Sequence, residues 1–211
     1  MGVLGHQIQS ALCPGMHLPK PLAQMFSWIE ENGLFIDTKN GRVRYLHSGA
    51  SKQSPPGTTA IAFTGEGNVN LKYWFGKDSP QISSRLSVFA HTGADGSMAA
   101  FWLDDDGSQK IVHMGSGSGS TLVCILAEDA VDFLRLLAIG YDEICWGGFS
   151  EPPDAHSLVA GEVNSAFADW VLTTFDVTMP ARGSEIVKHP SQMGDIESPD
   201  RFCQWVQRQT Q

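Results

Sequence analysis

The sequence predicts an α+β fold in which one curved, largely antiparallel or mixed β-sheet packs against helices. Short β segments separated by Gly/Asp turns follow one another between residues 86 and 127, which is typical of a meander. The stretch AEDAVDFLRLLAIGYDEICWG then changes to helical periodicity. The 211 residues are 42% hydrophobic, with six Trp and eleven Phe, which is enough apolar material for one core.

The N-terminal part predicts an arm followed by a helix. Residues 1–18 are Gly-rich and weakly patterned, so we expect a loose N-terminal arm. Pro19 and Pro21 then introduce KPLAQMFSWIEENG, and Gly33 supplies a left-handed stop. The apolar residues at helical spacing in this first helix are Leu22, Met25, Phe26 and Ile29.

Strands are predicted on both sides of the Asn40-Gly41 pair. In LFIDTKNGRVRYLHS this pair stands between two alternating segments, and its residues tolerate the positive φ that a two-residue hairpin requires. Further on, TAIAFTGEGNVNLKYWF predicts a strand, a turn, and another strand in which Leu71, Tyr73 and Phe75 alternate onto one face.

Four β segments and one helix form the centre of the predicted fold. The β segments are RLSVFAHTG, SMAAFWLDD, QKIVHMG and STLVCILA. In the helix that follows, Val131, Leu134, Ala138 and Tyr141 form an apolar stripe, which Leu137 widens. Burying such a stripe stabilises the fold by ~1.5–3 kcal/mol per large side chain, so we expect this helix to close the core.

The C-terminal part, residues 151–211, predicts two shorter helices, NSAFADWVLTTF and SPDRFCQWVQRQ. The second has Ser198 in position to be the N-cap and Pro199 at the first helical position. This part has too few apolar residues for a core of its own. The predicted organisation is therefore a loose arm (1–18), an α+β domain (19–150) and a helical C-terminal extension packed on that domain (151–211).

Charge and cysteine placement restrict the partners and the location. Fourteen basic and twenty-three acidic residues give a net charge of −9, which disfavours nucleic acid and anionic membranes and favours a basic protein partner. The four cysteines, Cys13, Cys124, Cys145 and Cys203, show no CxxC spacing. No apolar run approaches the ~18 residues of a membrane span. We expect a reduced, soluble, cytoplasmic protein.

Three Gly-containing motifs predict turns. GSGSGS at 115–120 lacks the Lys of a phosphate-binding P-loop and precedes a strand instead of a helix. DDDG at 104–107 begins like a calcium loop, but the twelfth residue is Gly115 where a bidentate Glu is needed. An Asp-Gly hairpin turn accounts for the same letters. ADG at 94–96 is a third turn, with Asp95 available for capping or for a partner.

The titratable residues form no catalytic or metal-binding set in the sequence. His91 and His113 are predicted in neighbouring apolar strands, where zinc would need two further ligands, so we interpret both as core or sheet-face histidines. Asp142 and Glu143 are adjacent near a helix end and point in different directions, which indicates a solvated helix end. The sequence predicts no catalytic residue, no metal and no cofactor.

The order of TGADGSMAAFWLDDDG, KIVHMGS and LAEDAVDFLRLLAIGYDEICW resembles the SUKH superfamily, which includes bacterial immunity proteins and fungal cell-wall assembly regulators. The resemblance covers about residues 86–146, and DFLRLLAIGY is its most specific part. It implies that residues 19–150 form a SUKH-like domain with a binding role and no catalysis. Many bacterial members of that superfamily resemble antidotes that bind a toxin.

The resulting hypothesis is a non-enzymatic protein-binding module of the immunity type, which binds and neutralises a basic toxin such as a nuclease. One alternative is an enzyme or small-molecule-binding protein with a cleft near His91, Asp95 and His113; another is a regulatory or scaffolding protein of the same fold. An enzyme needs these groups to converge in a pocket, whereas a binding module presents its contacts on an open face. The predicted partner contacts are Asp95, Asp104, Asp105 and Asp106, together with exposed aromatic side chains.

Overall fold

The computed structural model describes residues 2–47, 59–153 and 162–210, with the side chains of 162–164 excepted. Within these ranges seven strands form one curved sheet, and every neighbouring pair is antiparallel. The predicted α+β fold with one largely antiparallel sheet is therefore confirmed. The strands follow sequence order: β1 (Phe35–Thr38), β2 (Gly41–Arg44), β3 (Ala62–Phe63), β4 (Leu86–His91), β5 (Met98–Leu103), β6 (Gln109–Met114) and β7 (Val123–Ala127).

The central strands of the sheet have apolar side chains on both faces, and helices cover each face. In β5, Ala99 and Phe101 point into one apolar cluster, whereas Met98, Ala100 and Trp102 point into a second. The first cluster includes residues of α1 (Val3–Ala11), α2 (Lys20–Glu31), α5 (Ala130–Ala138) and α6 (Glu162–Phe175). The second includes residues of the one-turn helices α3 (Leu71–Trp74) and α4 (Pro80–Ser83) and of α7 (Arg201–Thr210).

The N-terminal segment is a packed helix, so the loose arm predicted for residues 1–18 is wrong. Leu4 and Ile8, one helical turn apart in α1, are both buried in the first cluster. The Glu30 carboxylate accepts a hydrogen bond from the Leu4 backbone N–H at 3.1 Å and forms an ion pair with the buried Arg44. Burial lowers the pKa of Arg44 to about 10. Glu30 thus ties α1 to α2 and β2.

Three predicted elements are found in the structure: the hairpin, the first helix and the helix that follows the meander. The hairpin is present, but its two turn residues are Lys39 and Asn40, one position earlier than predicted, and Gly41, at φ +121°, is the first residue of β2. The first predicted helix corresponds to α2. The helix predicted after the meander corresponds to α5, whose N-cap Asp129 accepts from two backbone N–H groups of the first turn. It ends before Tyr141, because Gly140 takes a positive φ of 96°.

The strand predicted over Leu71, Tyr73 and Phe75 is wrong, because this segment contains the one-turn helix α3. Leu71 and Phe75 are buried four residues apart, which fits a helical turn as well as it fits alternation. Where β3 no longer pairs with β4, the Asn68 side chain bonds to the β4 backbone. Its amide donates to the Leu86 carbonyl at 2.7 Å and accepts from the Val88 N–H at 3.0 Å.

The C-terminal part covers the outer edge of β7. The Val123 N–H donates to the Ser191 carbonyl at 2.8 Å, and the Ile125 N–H donates to the Asp200 carboxylate at 2.9 Å. Asp200 also accepts from the Cys203 N–H, so it caps α7 in the place predicted for Ser198. Burial raises the pKa of Asp200, against the lowering effect of these hydrogen bonds. Pairing protects an edge that would otherwise be open.

Candidate protein-binding surface

The two ends of the sheet hold the acidic turns that the sequence predicts as partner contacts. Because the meander is antiparallel, the β4–β5 turn (92–97) and the β6–β7 turn (115–122) lie at one end, which we call the Asp95 end. The β5–β6 turn (104–108) lies at the opposite end, which we call the Asp105 end. All three Gly-containing turns occur as predicted.

At the Asp95 end, the Asp95 carboxylate is an anchor for its own chain. It accepts hydrogen bonds from the Ser97 N–H at 3.0 Å and hydroxyl at 2.8 Å, from the Ser116 hydroxyl at 2.7 Å and from the Ser120 N–H at 2.8 Å. Partial burial acts to raise the pKa of Asp95, but these hydrogen bonds outweigh it and hold the pKa well below its usual range. Asp95 therefore fixes the two turns together and is not presented as a partner contact.

The same contacts explain why the GSGSGS turn is not an open anion cradle. The Ser116 hydroxyl accepts a hydrogen bond from the Gly119 N–H at 2.9 Å while it donates to Asp95. The Ser120 N–H, which a bound phosphate would use, also points at Asp95. A carboxylate of the chain itself thus occupies the position of the anion, and these hydrogen bonds hold the turn in place.

His113 is a buried core residue, as its position in an apolar strand predicts. Its Nδ1 lies 2.9 Å from the Leu122 carbonyl, and its Nε2 lies 2.8 Å from the Thr92 hydroxyl. Since a carbonyl only accepts, Nδ1 carries the proton and Thr92 donates to Nε2. Burial lowers the pKa of His113 to about 4, although the Leu122 carbonyl and the Asp95 charge act to raise it. Both His113 and Thr92 are buried.

His91 lies apart from His113. It pairs with Met98 of β5, while His113 pairs with Ala99 on the other side of the same strand. The prediction that the two histidines occupy neighbouring strands is wrong, because β5 separates β4 from β6. Among the residues that the structure describes, no three His, Cys, Asp or Glu side chains lie close enough together to hold a metal ion.

The loop that follows α5 adds a feature that the sequence reasoning missed. Trp146 is 57% exposed, and its indole N–H donates to the Glu143 carboxylate. The neighbouring Cys145 is buried, and its carbonyl accepts from the Ser120 hydroxyl. Burial, with the nearby Glu143 and Asp95 charges, raises the pKa of the Cys145 thiol to about 12, so the thiol stays neutral. The loop is thus held on the β6–β7 turn with the Trp146 ring facing solvent.

The charges are unevenly distributed along the sequence. Residues 86–181 include fourteen acidic residues and two basic ones, whereas residues 1–85 include eight basic and five acidic ones. The two basic residues, Lys110 and Arg135, form ion pairs with Glu128 and Asp132, each at 2.6 Å. Within the described ranges Glu143 has no ion-pair partner. In the sequence, Trp146 is the single tryptophan of the acidic run YDEICWGG. A tryptophan beside acidic residues is the signal that could have indicated this surface.

At the Asp105 end, arginines from distant parts of the chain compensate the acidic turn. Asp105 lies 2.8 Å from Arg85 and 3.2 Å from Arg208. Arg201 lies 3.4 Å from Asp104 and 3.7 Å from Asp106.

Asp104 has a second task at this end of the sheet. It is buried, and its carboxylate accepts from the Asp106 N–H at 3.0 Å and from the Ser108 N–H at 2.8 Å, which shapes the hairpin turn. Only Asp105 and Asp106 face solvent. Their charges are partly neutralised by the three arginines.

No protein-family model, no curated protein and no solved structure matches the chain. The resemblance to the SUKH superfamily therefore stays a prediction. No helix in the described part of the chain is long and apolar enough to cross a membrane.

Proposed function

We propose that this chain is a cytoplasmic, non-enzymatic binding module of the immunity type that binds and neutralises a basic protein toxin, a nuclease being the favoured class. Its contact region is the Trp146 surface, which we define as Glu143 and Trp146. The observation that carries the proposal is the exposed Trp146 ring, held on a rigid loop beside a carboxylate with no ion-pair partner among the described residues.

The tryptophan supports a protein partner. An exposed indole is costly to hydrate, and tryptophan is enriched among the residues that dominate the binding energy of protein interfaces. The underlying turns are fixed by Asp95 and Ser120, so little conformational entropy is lost when a partner packs against the ring. This rigidity favours a preformed binding surface.

The charge supports a basic partner. Acidic residues outnumber basic ones fourteen to two between residues 86 and 181. Such a field accelerates the encounter with a basic protein and disfavours acidic competitors. A nuclease toxin, whose own substrate is a polyanion, has a basic surface of this kind.

The arrangement favours binding over the alternative of a catalytic cleft at His91, Asp95 and His113. The Asp95 carboxylate is saturated by serine donors, and the His113–Thr92 pair is buried although it has the separation of a base and a nucleophile. The regulatory or scaffolding alternative would use the same Trp146 surface and differ only in its partner.

The test is capture from the native host at low salt, with four tagged forms of the full chain. Wild type and Asp105→Ala are expected to retain the same basic protein, whereas Trp146→Ala and Glu143→Lys are expected to lose it. The captured protein is then identified, and its toxicity or nuclease activity is titrated with the purified chain, which should abolish it. Capture that depends on Asp105 and not on Trp146, or a captured protein whose activity the chain leaves unchanged, would contradict the proposal.

A further inference from the structure

A second exposed surface lies around α3 and has the opposite charge. Val69, in the turn that precedes α3, and Tyr73, within α3, are 58% and 73% exposed. Lys72 lies next to them, with Nζ 4.9 Å from the centre of the Tyr73 ring, and Lys77 follows the helix. We call Val69, Lys72, Tyr73 and Lys77 the Tyr73 surface.

The Tyr73 surface is anchored firmly to the body of the protein. Leu71 and Phe75 are buried in the second cluster, where the Phe75 ring lies 5.9 Å from that of Trp205. The Trp74 indole N–H donates to the Gly115 carbonyl at 2.6 Å. The exposed residues are therefore presented on a fixed support, as at the Trp146 surface.

The occupant that fits this surface carries negative charge and an apolar group. Neither Lys72 nor Lys77 has an ion-pair partner in the described part of the chain. They flank two exposed apolar side chains in the half of the sequence that is net positive. The Trp146 surface, with Glu143 beside an exposed indole, has the complementary composition.

Both surfaces belong to segments that are hydrogen-bonded to the 115–122 turn. Gly115 at its start accepts from Trp74, and Ser120 near its end donates to the Cys145 carbonyl. A two-fold axis lets each copy give one surface and receive the other, so the same contact forms twice. We propose that the chain forms a two-fold dimer in which the Tyr73 surface of each copy packs on the Trp146 surface of the other.

This dimer does not depend on the toxin. It does imply that a basic partner competes with the second copy for Trp146, so the dimer would be a resting form. Because the contact joins opposite charges at the protein surface, its affinity falls as salt screens them.

The test is sedimentation equilibrium of the full chain, at about 50 mM and about 500 mM salt, between which screening of surface charges becomes nearly complete. We expect a monomer–dimer equilibrium at low salt and a dissociation constant at least about tenfold higher at high salt. Lys72→Glu and Glu143→Lys should each weaken the dimer by at least about tenfold. The double variant with both changes should recover affinity, because each contact then has its charges reversed.

Asp105→Lys is the matched control, since it makes the same change of charge at the opposite end of the sheet and should leave the dimer intact. Thermal melts of each variant confirm folding. A monomer at all concentrations at low salt would overturn the inference, as would a dimer that is insensitive to Lys72 and Glu143 or an open-ended series of oligomers. A monomeric chain that still loses its captured basic protein on Trp146→Ala would leave the proposed function standing.

Discussion

The Asp95 end and the Asp105 end of the sheet carry similar Gly/Asp turns and behave differently. At the Asp95 end, the aspartate of the turn is turned inward onto serine donors, and the outward-facing charge comes from Glu143 in another segment. At the Asp105 end, the aspartates of the turn remain at the surface, but Arg85, Arg201 and Arg208 lie against them.

This difference shows that the number of acidic residues in a turn does not determine the surface potential there. The surface potential depends on which hydrogen-bond donors and opposite charges lie against the carboxylates, and both come from remote parts of the chain. We therefore expect the Asp95 turn to govern stability, the Trp146 surface to govern binding, and the Asp105 turn to govern neither strongly.

The largest expected effect is on stability at the Asp95 end. Asp95→Ala removes a carboxylate that accepts four hydrogen bonds, so the free energy of unfolding should fall by about 3 kcal/mol. Asp105→Ala, which removes only two exposed ion pairs, should change it by less than about 0.5 kcal/mol. Urea unfolding of the two variants measures both values, and equal losses would show that the inward hydrogen bonds do not anchor the turns.

The next effect is a loss of stability at acidic pH that depends on His113. Its pKa is about 4 in the folded chain and about 6.5 when unfolded, so between these values the unfolded state binds the proton and the folded state does not. Stability should therefore fall by about 3 kcal/mol as the pH drops from about 6.5 to about 4. His113→Gln has a side chain that does not titrate, so this slope should be absent from the variant.

The His113 measurement is the difference between wild type and His113→Gln in unfolding free energy at each pH. The buried Asp200, whose pKa is raised, works in the opposite direction and cancels in that difference. A difference that stays constant between pH 4 and pH 6.5 would mean that folding does not lower the pKa of His113.

The third effect is on binding at the Trp146 surface. Trp146→Ala should weaken the binding of the captured partner by about 2 kcal/mol, which raises the dissociation constant about 30-fold. The free energy of unfolding should change by less than about 1 kcal/mol, since the ring is largely exposed. Ile36→Ala, an exposed apolar side chain on the far edge strand, is the control in titration calorimetry, and a similar loss of affinity there would remove the special role of Trp146.

The smallest effect is on the rate of association. Glu143→Gln should slow association with the basic partner by about threefold at low salt, because one uncompensated charge is lost. Asp105→Asn should slow it less, since Arg85 and Arg208 already offset that carboxylate. Stopped-flow or surface-binding kinetics compare the two, and a larger effect of Asp105→Asn would place the contact region at the opposite end of the sheet.

Elements with long or repeated patterns could be predicted from the sequence. The meander, the β1–β2 hairpin and the helix α5 each have a clear period or an obligatory turn residue. By contrast, α1 rests on a single buried pair, Leu4 and Ile8, and α3 on Leu71 and Phe75, whose spacing fits two kinds of structure. Short elements of this kind are decided by what they pack against.

The site was less predictable because its contacts are non-local. Asp95 finds a donor at Ser120, twenty-five residues away. Asp105 finds Arg85 twenty residues away and Arg208 at a separation of 103. The motif was visible in the sequence in both turns, but the direction of the carboxylate was not, and that direction determines whether it stabilises or binds.

The most direct test of the central claim is site-specific photo-crosslinking in the native host, with a photoreactive aromatic residue replacing Trp146 in one form of the chain and Asp105 in another. The proposed function predicts a crosslink to a basic protein from position 146 and none to that protein from position 105. A crosslink to the basic protein from position 105 alone would contradict it and return the contact region to the Asp104–Asp106 turn.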